Sequence, residues 1–456
     1  MVVQHNLSAM NANRMLGITA GSLAKSTEKL SSGYRVNRAA DDAAGLSISE
    51  KMRKQIRGLD QASANAEDGI SAVQTAEGAL TEVHDMLQRM NELAVKAANG
   101  TMSLDDRQTV QDEVDQLLTE IDRVAETTKF NEAYLLKGDT DTVQKRLSAH
   151  DAGLEGTLRD GATIATFTMN ELKIGDTYTI GGTEYTIVGD DADAIKDADE
   201  IKNGLSAGEL IEVDGVQYTV VDDAGTPNED KNQLKKADIL KKVKDESVVK
   251  YKGKTYAANA HTAVDPTYIK ADDAYTKIAQ ELTLANKIGN NGNTPASVAA
   301  KAVANNKKEF VITKGTAEIK ETLNFALHVG ADADMNNKIT VGIDAMDTAG
   351  LGIKGLNVKD SSGASATYAI DSIADAIAKV SAQRSSLGAI QNRLEHTINN
   401  LDNVVENTTA AESQIRDTDM AEEMVKYSKN NILQQAGQSM LAQANQANQG
   451  VLSLLG

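Results

Sequence analysis

The residues best suited to chemistry are few, and their spacing decides against the chemistry they resemble. Gly350, Gly352 and Gly355 spell a GxGxxG after the strand-like run 339–343. That pattern cradles a pyrophosphate when a strand leads in and a helix opens behind it. No helical periodicity opens behind these glycines, so they do not predict a dinucleotide site. Asp332, Asp334 and Asn336 have the opening spacing of a calcium loop, but Asn337 stands where the sharp turn needs Gly and Ile343 where a bidentate Glu is needed. The adjacent carboxylates of Asp41 and Asp42 have no histidine with them and two arginines, Arg35 and Arg38, close by, which predicts local ion pairs rather than acid–base work. The six histidines are dispersed, and HExxH, GxSxG and the phosphate-cradling GxxxxGK[ST] do not occur. The sequence therefore predicts no catalytic centre, cofactor or metal, and an enzyme is not the expectation.

What the chain offers instead is periodicity. Met52, Leu59, Ala66, Val73, Leu80, Leu87 and Ala94 recur at every seventh position, with Ala62, Ala76, Val83, Met90 and Ala97 beside them and no proline between. A seven-residue apolar repeat held that long predicts one continuous helix whose seam faces another helix. At 1.5 Å per residue it would be about 65 Å long. Ile373, Val380, Leu387, Leu394 and Leu401 repeat the spacing near the other end of the chain, so the two seams are expected to dock as antiparallel rods with the middle extruded as an insert. Asn99 and Gly100 supply a stop, and Ser103 with Asp106 reads as a capping box opening a third helix that carries Val110, Val114, Leu117, Leu118, Ile121 and Val124.

The ends carry thinner stripes. Ala9, Leu16, Leu23 and Leu30 repeat before residue 43, and Leu433, Ala436, Met440, Ala444, Ala447, Val451 and Leu454 alternate at spacings of three and four near the C-terminus. One such stripe is not stable as an isolated helix in water. The two can complete each other, and the expectation is that they fray in a free chain and order on assembly. The middle, 140–325, holds all three prolines and most of the tyrosine. Its runs 172–188 and 205–221 repeat a Gly, Gly, Tyr-Thr pattern, and Gly253 with Tyr256 form a weaker copy. Each reads as two short strands about a turn, and the first two are followed by helix-prone segments.

Composition narrows the class. The net charge of -19 argues against nucleic acid, and with 3% aromatic residues and no Trp the chain cannot be one aromatic-packed core. No run approaches the length of a membrane span. Residues 1–10 have neither the basic region nor the apolar run of a secretory signal. The expected fold is thus mainly α, a long antiparallel coiled-coil or helical-bundle core formed by both chain ends with an inserted, hairpin-rich α+β domain. The expected division is 1–43 with 417–456, 44–139 with 326–416, and 140–325. On a helical wheel Arg89, Leu93 and Lys96 fall opposite the seam, which makes Leu93 an apolar residue expected at the surface beside charges.

The motifs NLSAMNAN (6–13), LSSGYRVNRAADDAAGL (30–46), QRMNELAVKAANGT (88–101), LGAIQNRLEHTINNL (387–401) and AAESQIRDTDMAEEM (410–424) closely resemble bacterial flagellins, the subunits of the flagellar filament. The resemblance covers both ends and not the middle. It implies terminal helices that line a filament channel, an outer helical shaft, a displayed variable domain, and self-assembly into a helical homopolymer for motility. It further implies unfolded export without a cleaved signal peptide to an extracellular flagellum, a secretion chaperone on the C-terminal segment, and contacts with filament cap and junction proteins. The family places a Toll-like receptor 5 surface at the positions of Arg89, Glu92, Leu93 and Glu113, with Lys96 where Gln is frequent and Leu117 where a basic residue often lies. The assembly seam falls on Leu16, Leu23, Leu30, Leu433, Met440, Val451 and Leu454. A hook-filament junction protein is the alternative.

Overall fold

The computed structural model describes residues 6–222, 232–258, 262, 265–360 and 362–453, with main chain alone at 199 and 447–453. In chain order the elements begin with helices α1 (Leu7–Ser32), α2 (Ala43–Ala97) and α3 (Leu104–Thr127) and the strands β1 (Lys129–Phe130), β2 (Ala133–Tyr134) and β3 (Thr142–Arg146). Strands β4 (Thr157–Asp160), β5 (Ile164–Asn170), β6 (Thr177–Ile180) and β7 (Thr183–Val188) lead to helices α4 (Ala192–Asp197) and α5 (Asp199–Gly204). Next come β8 (Leu210–Val213), β9 (Val216–Val221), β10 (Gln233–Lys235), α6 (Lys236–Lys242), β11 (Val248–Tyr251), β12 (Lys254–Ala257), β13 (Tyr268–Lys270) and α7 (Ala271–Ala285). The chain closes with β14 (Ser297–Ala300), β15 (Lys307–Thr313), β16 (Thr316–Lys320), β17 (Leu323–His328), β18 (Lys338–Ile343), α8 (Thr348–Leu351), α9 (Ala364–Arg416) and α10 (Met420–Ser453). The mainly α class with a strand-rich middle is what the periodicities predict. The chain divides into two compact units, one of 1–71, 326–340 and 390–456, the other of 72–325 and 341–389.

In the first unit the early part of α2 runs against the late part of α9. Ala66 and Leu394 are fully buried in one cluster with Val329 and Ile339, and Ser49 Oγ donates to Glu412 at 2.7 Å. Gly58 and Gly69 let the sheet approach the helix, since a Cβ at Gly69 would lie 2.2 Å from Leu327 Cδ1. The helices α1 and α10 are formed, antiparallel, and joined at Asn6, whose Nδ2 donates to the Ala444 carbonyl at 3.1 Å. Both terminal stripes are thus paired with each other in the single chain. Between α1 and α2, Asp41 accepts the main-chain N–H of Asn37 and of Arg38. The Arg38 contact is the main reason its carboxyl sits below the ordinary value. Asp42 accepts Gly45 N–H at 2.8 Å and starts α2. The two adjacent carboxylates are turn and cap residues.

In the second unit the later part of α2 buries Val73, Ala76, Leu80, Val83, Leu87, Met90, Ala94 and Ala97, and α9 answers with Ile373, Ala376, Val380 and Leu387. Each leucine so buried contributes about 1.5 to 3 kcal/mol relative to exposure. The predicted capping box is present: Ser103 Oγ accepts Asp106 N–H at 3.1 Å, and Asp106 Oδ2 accepts Ser103 N–H at 3.3 Å.

The three hairpins β6–β7, β8–β9 and β11–β12 each turn on a pair with positive φ, namely Gly181-Gly182, Asp214-Gly215 and Lys252-Gly253. That geometry suits the right-handed twist of the flanking strands. A parallel third strand completes two of them, β13 on β7 and β10 on β9, and each such strand runs directly into a helix, α7 or α6. The helix-prone segment that follows the second hairpin thus opens as a strand, Gln233–Lys235, before α6. Two cores hold this region. One gathers Phe167, Phe310 and Tyr275, with ring centroids 6.2 and 6.3 Å from Phe310, and the other gathers Ile195, Ile211, Val249, Tyr251 and Tyr256.

Candidate functional site

Two surfaces carry the residues singled out above, and neither is a cleft. On the first, Arg89 of α2 reaches α3, where its Nη2 lies 2.8 Å from Glu113 Oε1, while Nη1 lies 3.1 Å from Glu92 Oε2. These hydrogen bonds, Glu113 first, push the guanidinium above its ordinary value. The three side chains are exposed, so the cluster is a presented charge pattern rather than a source of stability.

Leu93 does not join them at the surface, contrary to the helical-wheel expectation. It is 2% exposed, and the exposed apolar residue on this turn is Val95. The reason is α3. The buried Arg107 guanidinium, whose Nε donates to the Ala97 carbonyl at 2.9 Å, ties the start of α3 to the end of α2, and Arg89 reaches Glu113 further along. Leu93 lies between these two points on α2 and is buried. Leu117 is half-buried and Lys96 exposed.

The second surface is the α1–α10 pair. Leu16, Leu23 and Leu30 are half-buried on it, and Leu16 Cδ1 lies 3.3 Å from where a Cβ on Gly437 would be. Leu433 and Met440, expected in the same seam, face away at 45% and 61% exposure. The inward stripe of α10 is instead Tyr427, Asn431, Gln434, Gly437, Leu441 and Ala444, all half-buried. Two helices have one interface, and the small Gly437 lets α1 approach there, leaving the bulkier apolar side chains outside. Leu454 and the Val451 side chain lie outside the described residues. Met420, Met424, Val425 and Ile432 on α10, and Leu7, Met10, Met15 and Ile18 on α1, are also exposed.

The sites that imitate chemistry dissolve on inspection. Gly350 and Gly352 belong to the short α8 and its left-handed cap, and Asp334 caps a 3-10 turn at Met335–Asn337. Among the described residues no group of His, Asp or Glu is gathered to hold a metal, and no helix is long and apolar enough to cross a membrane.

Long terminal helices packed on each other, an exposed hairpin-rich insert and apolar faces left outward define a structural protein of the assembling kind. Residues 3–141 match the bacterial flagellin N-terminal helical region and residues 370–455 the bacterial flagellin C-terminal helical region. The chain is 38% identical to a flagellin of Clostridium tyrobutyricum over 98% of its own length and 100% of that protein's. It is 35% identical to flagellins of Halalkalibacterium halodurans and Bacillus subtilis, in each case over the full length of both chains. Among solved structures, FliC from Burkholderia pseudomallei aligns with 71% of this chain and 99% of its own at 18% identity and a TM-score of 0.28. The chain belongs to the bacterial flagellin family.

Proposed function

We propose that this chain is the structural subunit of a bacterial flagellar filament, acting by self-assembly rather than catalysis. The observation that carries the reading is the outward apolar side chains of the α1–α10 pair, where Leu433, Met440, Ile432 and Met10 are exposed. Burying such a face in neighbouring copies is the elementary driving force for a homopolymer. In this reading 1–43 and 417–456 form the filament's inner layer, 44–139 and 326–416 its shaft, and 140–325 the outward insert.

The same face supports the finer parts. A filament subunit works outside the cell, and family membership supports unfolded export by the flagellar secretion system without a cleaved signal peptide. A chaperone on the C-terminal segment would shield α10 until then, and filament cap and junction proteins are its further partners. Released monomer is the form recognised by Toll-like receptor 5, through Arg89, Glu92 and Glu113 presented together, with Leu93 supporting them from beneath.

The test is seeded polymerisation of purified full-length chain against a chain lacking 1–43 and 417–456, read by sedimentation and electron microscopy. Filaments from the full chain alone are the expected result. Failure of the full chain to extend any seed refutes the filament reading and moves the assignment to a hook-filament junction protein, to be tested as a cap on existing filaments.

A further inference from the structure

Three Asn-Gly pairs occur in the described chain, at Asn99-Gly100, Asn203-Gly204 and Asn291-Gly292, and their surroundings differ in the terms that matter for spontaneous deamidation. That reaction needs the glycine main-chain nitrogen free to attack, a side-chain carbonyl that is polarised, and a carboxamide nitrogen free to leave.

At Asn291-Gly292 the attacking and the leaving nitrogen are both blocked. The Gly292 N–H donates to the Thr316 carbonyl at 2.8 Å. The Asn291 amide is held at both ends by residue 318, accepting its N–H at 2.9 Å and donating to its carbonyl at 3.3 Å. Asn203-Gly204 ends the helix α5, whose main chain holds Cγ away from the next nitrogen, and the Gly204 carbonyl is further tied to the Tyr251 hydroxyl.

Asn99-Gly100 is the reverse at both nitrogens. It lies in the exposed turn between α2 and α3, and a Cβ at Gly100 would meet nothing within 4 Å. Among the described residues the Gly100 N–H and the Asn99 Nδ2 find no hydrogen-bond acceptor. The Asn99 Oδ1 accepts two, from the Thr101 N–H and from the Thr101 Oγ1, each at 3.1 Å. This folds the carboxamide back along its own main chain across the Gly100 peptide. Two donors on one carbonyl oxygen are also the arrangement that stabilises an oxyanion.

We propose that Asn99 is a self-modifying site that converts to aspartate and isoaspartate in the folded protein, with Thr101 as the activating residue. The Gly100 nitrogen loses its proton to solvent base and bonds to the Asn99 Cγ, and the negative charge gathers on Oδ1 against the two Thr101 donors. The Cγ–Nδ2 bond then breaks, Nδ2 takes up a proton and leaves as ammonia, and a five-membered imide remains. Water opens the imide at either carbonyl, so the net change is asparagine plus water to a carboxylate plus ammonia. Where water attacks the main-chain carbonyl, the chain thereafter runs through the former side chain and the freed carboxylate stays where the Arg107 Nη2 already lies, 3.1 Å from the Asn99 oxygen. Arg107 is thus placed to pair with the isoaspartyl product.

The experiment incubates the full-length chain at neutral and mildly alkaline pH and follows the three Asn-Gly peptides by mass spectrometry, using isoaspartate-sensitive fragmentation. A parallel sample in concentrated guanidinium chloride gives the rate without structure. In the folded chain Asn99 is expected to convert at least about tenfold faster than Asn291, a difference of one factor of ten in rate, and faster at the higher pH. In denaturant the three should converge. Gly100→Ala should slow the Asn99 reaction severalfold, because a Cβ restricts the main chain the attack must bend. Thr101→Val should slow it in the folded chain and not in denaturant. Equal folded-state rates at Asn99 and Asn291 overturn the proposal. An Asn99 rate unchanged by Thr101→Val overturns the role given to Thr101.

Discussion

Leu433→Gln with Met440→Gln separates the folding of the chain from its assembly. Both side chains lie on the outer face of α10, at 45% and 61% exposure. Glutamine has nearly the helix propensity of leucine and methionine, so the helix itself is little changed. Full burial of either side chain is worth about 1.5 to 3 kcal/mol. Scaled to the surface still exposed, the pair has roughly 1.6 to 3.2 kcal/mol left to gain on contact with a neighbouring copy. At 1.4 kcal/mol per factor of ten, the variant should raise the critical concentration for polymerisation about 15- to 200-fold. The assay is seeded growth over a concentration series, with the soluble fraction after sedimentation giving the critical concentration. A thermal melt of the monomer followed by circular dichroism is the control. The expected outcome is an unchanged melt with a raised critical concentration. An unchanged critical concentration would refute the assignment of this face to the polymer interface.

Three further substitutions probe other parts. Leu93→Ala should destabilise the chain by about 2 to 5 kcal/mol, as truncations of buried leucine do, visible as a lower denaturant midpoint; a midpoint like that of the parent would return Leu93 to the surface. Arg89→Ala with Glu113→Ala should move stability by less than about 1 kcal/mol, since exposed pairs are worth little, while weakening binding of monomer to the Toll-like receptor 5 ectodomain; unchanged affinity sinks the proposed surface. Glu209 is held down to about 2 from an ordinary 4.5 by the Tyr251 hydroxyl, then the Ser206 N–H and Lys252. Its folded value lies below its unfolded one, so its contribution is complete above 4.5 and lost as the pH falls from there towards 2. Glu209→Gln should therefore flatten the loss of amide-exchange protection in β8, β9 and β11 across that window, and a slope unchanged from the parent would show the carboxylate is not held there.

The parts legible in the sequence are those where burial follows a regular period. Leu80, Leu87, Ile373 and Leu387 are fully buried, and their spacing of seven reveals α2 and α9. Ser103 and Asp106 announced the start of α3 by side-chain chemistry. The strands β10 and β13 were not readable, because three-residue strands burying one side chain each, Leu234 and Ile269, leave no alternation to detect. The orientation of α10 misled for the opposite reason. Its inward stripe mixes Asn431, Gln434 and Gly437 with Tyr427, Leu441 and Ala444, so the apolar period marks the exposed side rather than the packed one. Leu93 was misplaced because a wheel drawn for one partner cannot show a second helix arriving from further along the chain.

The ladder of the insert has one more consequence. Gly189 and Ala258 sit bridged side by side, and β7 is closed on the far side by β13, from Thr186 opposite Tyr268 to Val188 opposite Lys270. Everything between leaves and re-enters through adjacent positions of one sheet, and it brings its own core around Ile195, Ile211 and Val249. Because closing a loop whose ends already touch costs only slowly more as it lengthens, that junction behaves as a socket. A longer, shorter or foreign cassette seated there would meet the same two neighbouring strands, so this segment can be exchanged while the strands that flank it keep their register.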